Sequence, residues 1–166
     1  HIRGMRGCSG GQRGNARWHV RIPDNKAAHY GSVKGEELAR DREDIWVYPG
    51  PSVTKRIEMA VEIALHCGST KDVVKELAER IGSGPAISET VPTALGILIA
   101  NQGDTMESIY DAVNIGDETC AIACIAGAIA GACNGTDSIP EGYLEMIEKE
   151  NHMDLTAQAE GIEALW

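Results

Sequence analysis

The stretch Asn114–Gly135, NIGDETCAIACIAGAIAGACNG, constrains this chain more than any other. The 14 residues from Cys120 to Cys133 are only Ala, Gly, Cys and Ile. That is too short for the roughly 20 residues a helix needs to cross a bilayer. Small side chains let neighbouring helices approach closely, so this run reads as a helix at the centre of a helical body. Asp117, Glu118 and Thr119 form a polar cluster at its mouth. Two carboxylates at a helix start are explained by capping and by the helix dipole. They are equally the oxygen donors a hard divalent cation uses at a loop-to-helix junction.

The composition supports helices. Hydrophobic residues make up 43% of the 166-residue chain, aromatics only 4%, and Phe is absent. A core of Ala, Ile, Leu and Val suits closely packed helices better than a sandwich. One domain is expected at this length. The net charge of −10 is uneven: residues 1–53 hold nine Lys/Arg against six Asp/Glu, and residues 54–166 hold six against nineteen. An acidic body argues against general nucleic-acid binding, and no DNA or membrane partner is expected. The five cysteines form no CxxC, so neither a disulfide framework nor a zinc site is indicated. Three of them, in the apolar helix, read as ordinary buried thiols. A reducing, cytoplasmic location is expected. The chain opens at His1, which leads us to expect a fragment or a processed product.

Residues 1–45 read as a Gly/Arg-rich irregular segment, and residues 46–166 as the helical region. Residues 1–22 hold five Arg, five Gly and no acidic residue. They read as a flexible segment, as a contact to a partner, or as an anion or single-strand RNA arm using Arg3, Arg6, Arg13, Arg17 and Trp18. A short helix is expected at Glu36–Arg42. Trp46 and Tyr48 are loop anchors or ligand stackers.

From Ser52 the period becomes helical. Val53–Cys67 places Ile57, Ala60, Val61, Ala64 and Leu65 on one face, and lone His66 opposite them reads as a surface residue. Ser69 caps the next helix, whose stripe is Val73, Leu77 and Ile81, and Gly82 ends it. Pro92 is expected in the first turn of a buried helix running TALGILIA. Glu89 ahead of it is a dipole partner or a functional carboxylate. Asp104 caps a short helix over 104–113. Two further helices are expected, Ser138–Glu150 opened by Pro140 and Leu155–Trp166. The body reads as all-α.

Three stretches resemble the ADP-ribosylglycohydrolase family, the group of the dinitrogenase-reductase-activating glycohydrolase and crystallin J1. They are SETVPTALGILIA (Ser88–Ala100), AVNIGDETCAIACIAGAIAGACNG (Ala112–Gly135) and SIPEGYLEMIEKENHMDL (Ser138–Leu155). The likeness covers about residues 46–166 and matches the carboxyl-terminal half of the family. It implies a compact orthogonal all-α domain, incomplete in this chain, that binds two magnesium ions. The activity it implies is removal of ADP-ribose from modified proteins or from small ADP-ribosyl compounds.

The family's GDDTDT-type loop falls on Gly116–Ala121, GDETCA. The resemblance thus makes Glu118 a magnesium ligand and Asp117 a second or substitute one. Cys120 and Ala121 stand where the family has Asp and Thr. A thiol is a poor magnesium ligand. The family's TDDT-like, GDALG-type and SNGAAMR-like segments have no counterpart here. Two readings follow. The chain is half of a magnesium-dependent hydrolase completed by a second polypeptide, or it is an inactive helical binding or scaffold relative. Either way, association with a second chain or oligomerisation is expected. No catalytic residue is assigned.

Overall fold

The computed structural model describes residues 25–41 and 50–165. Among them are eight α-helices, a 3-10 turn at Thr136–Ser138, and no strand. The helices are α1 (Asn25–Arg40), α2 (Val53–His66), α3 (Thr70–Arg80), α4 (Ile87–Ala100), α5 (Thr105–Asn114), α6 (Thr119–Asn134), α7 (Glu141–Asn151) and α8 (Leu155–Glu163). The all-α expectation holds. No described helix is long and apolar enough to cross a membrane. The basic arm residues, Trp18, Trp46 and Tyr48 lie outside the described residues.

Local chemistry sets the helix starts. Ser52 Oγ accepts from Lys55 N at 3.3 Å, and Ser69 Oγ accepts from Asp72 N at 3.3 Å. Asp104 Oδ1 accepts from Glu107 N at 3.0 Å. Each satisfies a donor that the first helical turn leaves unpaired. Glu36 extends the first cap. Its Oε1 accepts from Ser52 Oγ at 2.8 Å and Thr54 N at 3.1 Å, tying α1 to the start of α2. The short helix expected at Glu36–Arg42 is, as far as Arg40, the end of the longer α1, and Arg42 lies outside the described residues.

The core joins Ala60 and Ile63 of α2, Val73 and Leu77 of α3 with the following Ile81, Ala94 and Ile97 of α4, Ala112 of α5, and Ile122 and Ala126 of α6. The helix at its centre is α4, which packs on α2, α3, α5 and α6. Gly96 lets α3 come close: a methyl group there would meet Leu77 Cδ2 at 2.7 Å.

Two expectations are corrected. The helix expected to be central, α6, buries only the stripe Ile122, Ala126 and Ala130, against α5 and α4. Its uniform apolarity reflects small side chains, not coverage on every side. Cys120, Cys124 and Cys133 are accordingly exposed, not buried, while Cys67 is half-buried. Alkylation of the native chain with iodoacetamide should therefore modify these three thiols well before Cys67, as peptide mass spectrometry would record. Equal or reversed order would contradict the exposed face of α6.

Pro92 is the second correction. The helix begins five residues earlier than expected, at Ile87, so Pro92 lies in its interior. An interior proline removes one intrahelical donor and leaves the carbonyl four residues back without it. That carbonyl is Ser88 O, and Arg56 of α2 donates to it from Nη1 at 3.2 Å. The same nitrogen donates to Ile81 O at 2.8 Å, at the end of α3. One guanidinium thus serves two helix irregularities, which is why the helix survives Pro92.

The acidic loop before α6

The turn from α5 to α6 is made by two successive residues with positive φ, Gly116 at 96° and Asp117 at 56°. Glycine adopts this region without steric cost, and Asp is among the few other residues that tolerate it. Glu118 is then the residue before the helix, at φ −78° and ψ 49°, and its side chain makes no capping bond. The capping explanation is thereby removed for Glu118. Neither Asp117 nor Glu118 has a side-chain hydrogen bond or ion pair among the described residues. Asp117 is exposed and Glu118 half-buried. Both sit where the positive end of the α6 dipole favours negative charge.

The loop is held by backbone contacts. Thr119 N donates to Asp117 O at 2.8 Å, and Glu118 N donates to Ser83 O at 2.9 Å. Ser83 belongs to the bend between α3 and α4. The next residue, Gly84, is buried, and its N–H donates to Glu89 Oε2 at 2.9 Å. Thr93 Oγ1 anchors the same bend by donating to Gly82 O at 2.7 Å. Glu89 Oε1 lies 3.6 Å from Arg56 Nη1. A methyl group at Gly84 would stand 2.5 Å from Glu89 Oε2 and 3.4 Å from Asp117 Oδ2. Both carboxylates therefore approach the position that a side chain on Gly84 would take, and glycine leaves that space to them.

The sequence pointed to Asp117 and Glu118, and the structure places them side by side at the α6 mouth. Cys120 is exposed and Ala121 half-buried in the first turn of the helix. Arg56, Gly84 and Thr93 carried no signal in the sequence reading. Pro92, expected in a first turn, gave no sign that a donor must come from elsewhere. Glu89, read as a dipole partner or a functional carboxylate, stands in the first turn of α4 and binds the bend. His66 is exposed, with Nδ1 2.8 Å from Glu62 O, as a surface residue should be.

A magnesium ion needs several oxygen ligands in near-octahedral geometry. Among the described residues no three His, Cys, Asp or Glu side chains are placed to hold a metal ion. Asp117 and Glu118 offer oxygens, Cys120 offers a soft sulfur, and Ala121 offers nothing from its side chain. These residues by themselves do not fit the ion.

Comparison with known proteins gives the chain its family. Over 108 residues the chain is 27% identical to "Uncharacterized protein YegU" of Escherichia coli (strain K12), covering 65% of this chain and 32% of that protein. It is 30% identical over 95 residues to human ADP-ribosylhydrolase ARH3, covering 51% of this chain and 26% of the relative. With the Danio rerio ADP-ribosylhydrolase ARH3 the identity is 35% over 91 residues, 49% of this chain and 25% of the relative. The chain thus spans between a quarter and a third of the length of these relatives. No solved structure matches it. The ADP-ribosylglycohydrolase family model matches residues 25–166, so the chain belongs to the ADP-ribosylglycohydrolase family.

Proposed function

We propose that this chain contributes the acidic-loop side of a hydrolase site for an ADP-ribosyl linkage, in an ADP-ribosylated protein or a small ADP-ribosyl compound. The supporting observation is the pair Asp117 and Glu118, two carboxylates at a helix mouth engaged neither in capping nor in ion pairs among the described residues. The α6 dipole favours their charge, and their oxygens are left free for a further ligand. Family membership supplies the reaction class. Glu118 and Asp117 are the residues of this chain that would face magnesium. The remaining oxygen ligands must come from other polypeptide, in a second chain or in additional sequence. The region 46–166 would be the part that meets that polypeptide, with residues 1–45 preceding it. The exposed apolar side chains Tyr143, Met146, Ile147 and Ile162 on α7 and α8 suit such an association, as an oligomer or with a different chain. The four described cysteines, all free, suit a reducing cytoplasm.

A second reading is favoured by Cys120 and by the absence of a three-ligand cluster among the described residues: a helical binding or scaffold relative without catalysis. The two are separated by measuring ADP-ribose release from an ADP-ribosylated peptide with magnesium. The chain alone should release none, and adding the amino-terminal region of an intact family member should restore release. Cys120→Asp should then raise magnesium affinity by roughly tenfold or more, the usual scale of a change at a metal ligand or its immediate support. No release from either form of the complemented chain would sink the hydrolase reading and leave the scaffold.

A further inference from the structure

We propose that Glu89, steadied by Arg56, is a positioning residue for the acidic loop at 116–119. It acts through one peptide unit, the bond between Ser83 and Gly84. The proposal rests on the reading of Asp117 and Glu118 as site residues. Ser83 O and Gly84 N belong to the same planar amide, whose two polar groups point in opposite directions. The N–H donates to Glu89 Oε2 at 2.9 Å, and the C=O accepts from Glu118 N at 2.9 Å. A rotation of this peptide would break both bonds at once. The carboxylate of Glu89 on one side therefore fixes the direction of the carbonyl that holds Glu118 on the other. Hydrogen bonds in such a chain polarise each other, so the charged acceptor also strengthens the second bond.

The rest of the arrangement serves this peptide. Gly84 has no Cβ to push Glu89 away, and Thr93 fixes the carbonyl of Gly82 just before the bend. Arg56 donates to the carbonyls of Ile81 and Ser88, which places its charge 3.6 Å from the other oxygen of Glu89. Capping of α4 does not account for Glu89. Its partner N–H belongs to Gly84, three residues ahead of Ile87, where that helix begins. Asp117 approaches the same glycine, where its Oδ2 would be 3.4 Å from a Cβ at Gly84. Glu89 thus sets the peptide that holds the backbone of Glu118, beside the glycine that Asp117 approaches.

The test is site-resolved amide hydrogen exchange on the whole chain, followed by NMR, with no ADP-ribosyl compound present. In Glu89→Ala the Glu118 amide should exchange about tenfold faster or more, in keeping with loss of a charge-assisted hydrogen bond, while the Ala126 amide inside α6 stays unchanged. Glu89→Gln keeps an oxygen that accepts from Gly84 and should hold the Glu118 rate within about threefold of the original, as expected for a neutral acceptor in place of a charged one. If Glu89→Ala does not fold, Glu89→Asp takes its place, being one methylene too short to reach Gly84. An unchanged Glu118 rate would overturn the proposal. So would equal acceleration at Ala126, which marks general loosening, or a Glu89→Gln chain that exchanges as fast as Glu89→Ala. Absence of ADP-ribose release from the complemented chain, with these exchange effects intact, would count against the hydrolase reading instead.

Discussion

Leu77→Ala lowers the unfolding free energy by about 4 kcal/mol, in the upper part of the usual range for a buried leucine. Urea unfolding followed by circular dichroism measures it. Leu77 is fully buried, and its two methyl groups occupy the space that a side chain on Gly96 would fill. With no side chain at 96 to lean inward, the surroundings cannot collapse, and the cavity persists. The reciprocal change gives a sharper check. Gly96→Ala alone places a methyl 2.7 Å from Leu77 Cδ2, so it destabilises. In the Leu77→Ala background the same methyl enters the vacated space. There it also gains the roughly 1 kcal/mol by which alanine exceeds glycine inside a helix. The sign of Gly96→Ala therefore reverses between the two backgrounds. Strict additivity of the two substitutions would mean that Leu77 and Gly96 do not share this contact.

What the sequence disclosed follows from how local each cause is. Val73, Leu77 and Ile81 were legible because one helix face writes its own period, and Val73 and Leu77 are indeed buried with Ile81 beside them. Ser69 and Asp104 were legible because a cap needs only its own next three residues. That Asp117 and Glu118 stand at the start of α6 was legible because Gly116 and the apolar run after it mark a helix boundary locally. The central helix was not: an apolar helix of small residues looks identical whether one face or every face is covered. That ambiguity made α6 seem central and its thiols buried. The Ser83–Gly84 bend was equally hidden, since Arg56 reaches it across 25 and 32 residues of chain to Ile81 and Ser88. Glu118 reaches it from the other direction, and no spacing rule links these positions.

Pro92 shows how such a distant cause becomes testable. Arg56→Met removes the donor to Ser88 O and Ile81 O and leaves Glu89 without its cation, at a cost of about 3 kcal/mol. The guanidinium is about one-fifth exposed, so only part of its ionic contribution survives solvent screening, and the two carbonyl bonds dominate. Of these, the bond to Ser88 O exists because Pro92 has no N–H. Pro92→Ala returns an amide donor to that carbonyl within the helix. In the Pro92→Ala background, Arg56→Met should therefore cost about 1 kcal/mol less, the net worth of one hydrogen bond. Pro92→Ala by itself has opposing parts, a lost buried ring and a regained helical bond, so the informative quantity is the difference between backgrounds. A complete double-mutant cycle in urea isolates it. A coupling below about 0.3 kcal/mol, the level at which separate sites simply add, would show that Arg56 does not stand in for the missing amide. The bond to Ile81 O serves as the internal control. It lies at the end of α3, apart from Pro92, and should account for the cost of Arg56→Met that Pro92→Ala leaves in place.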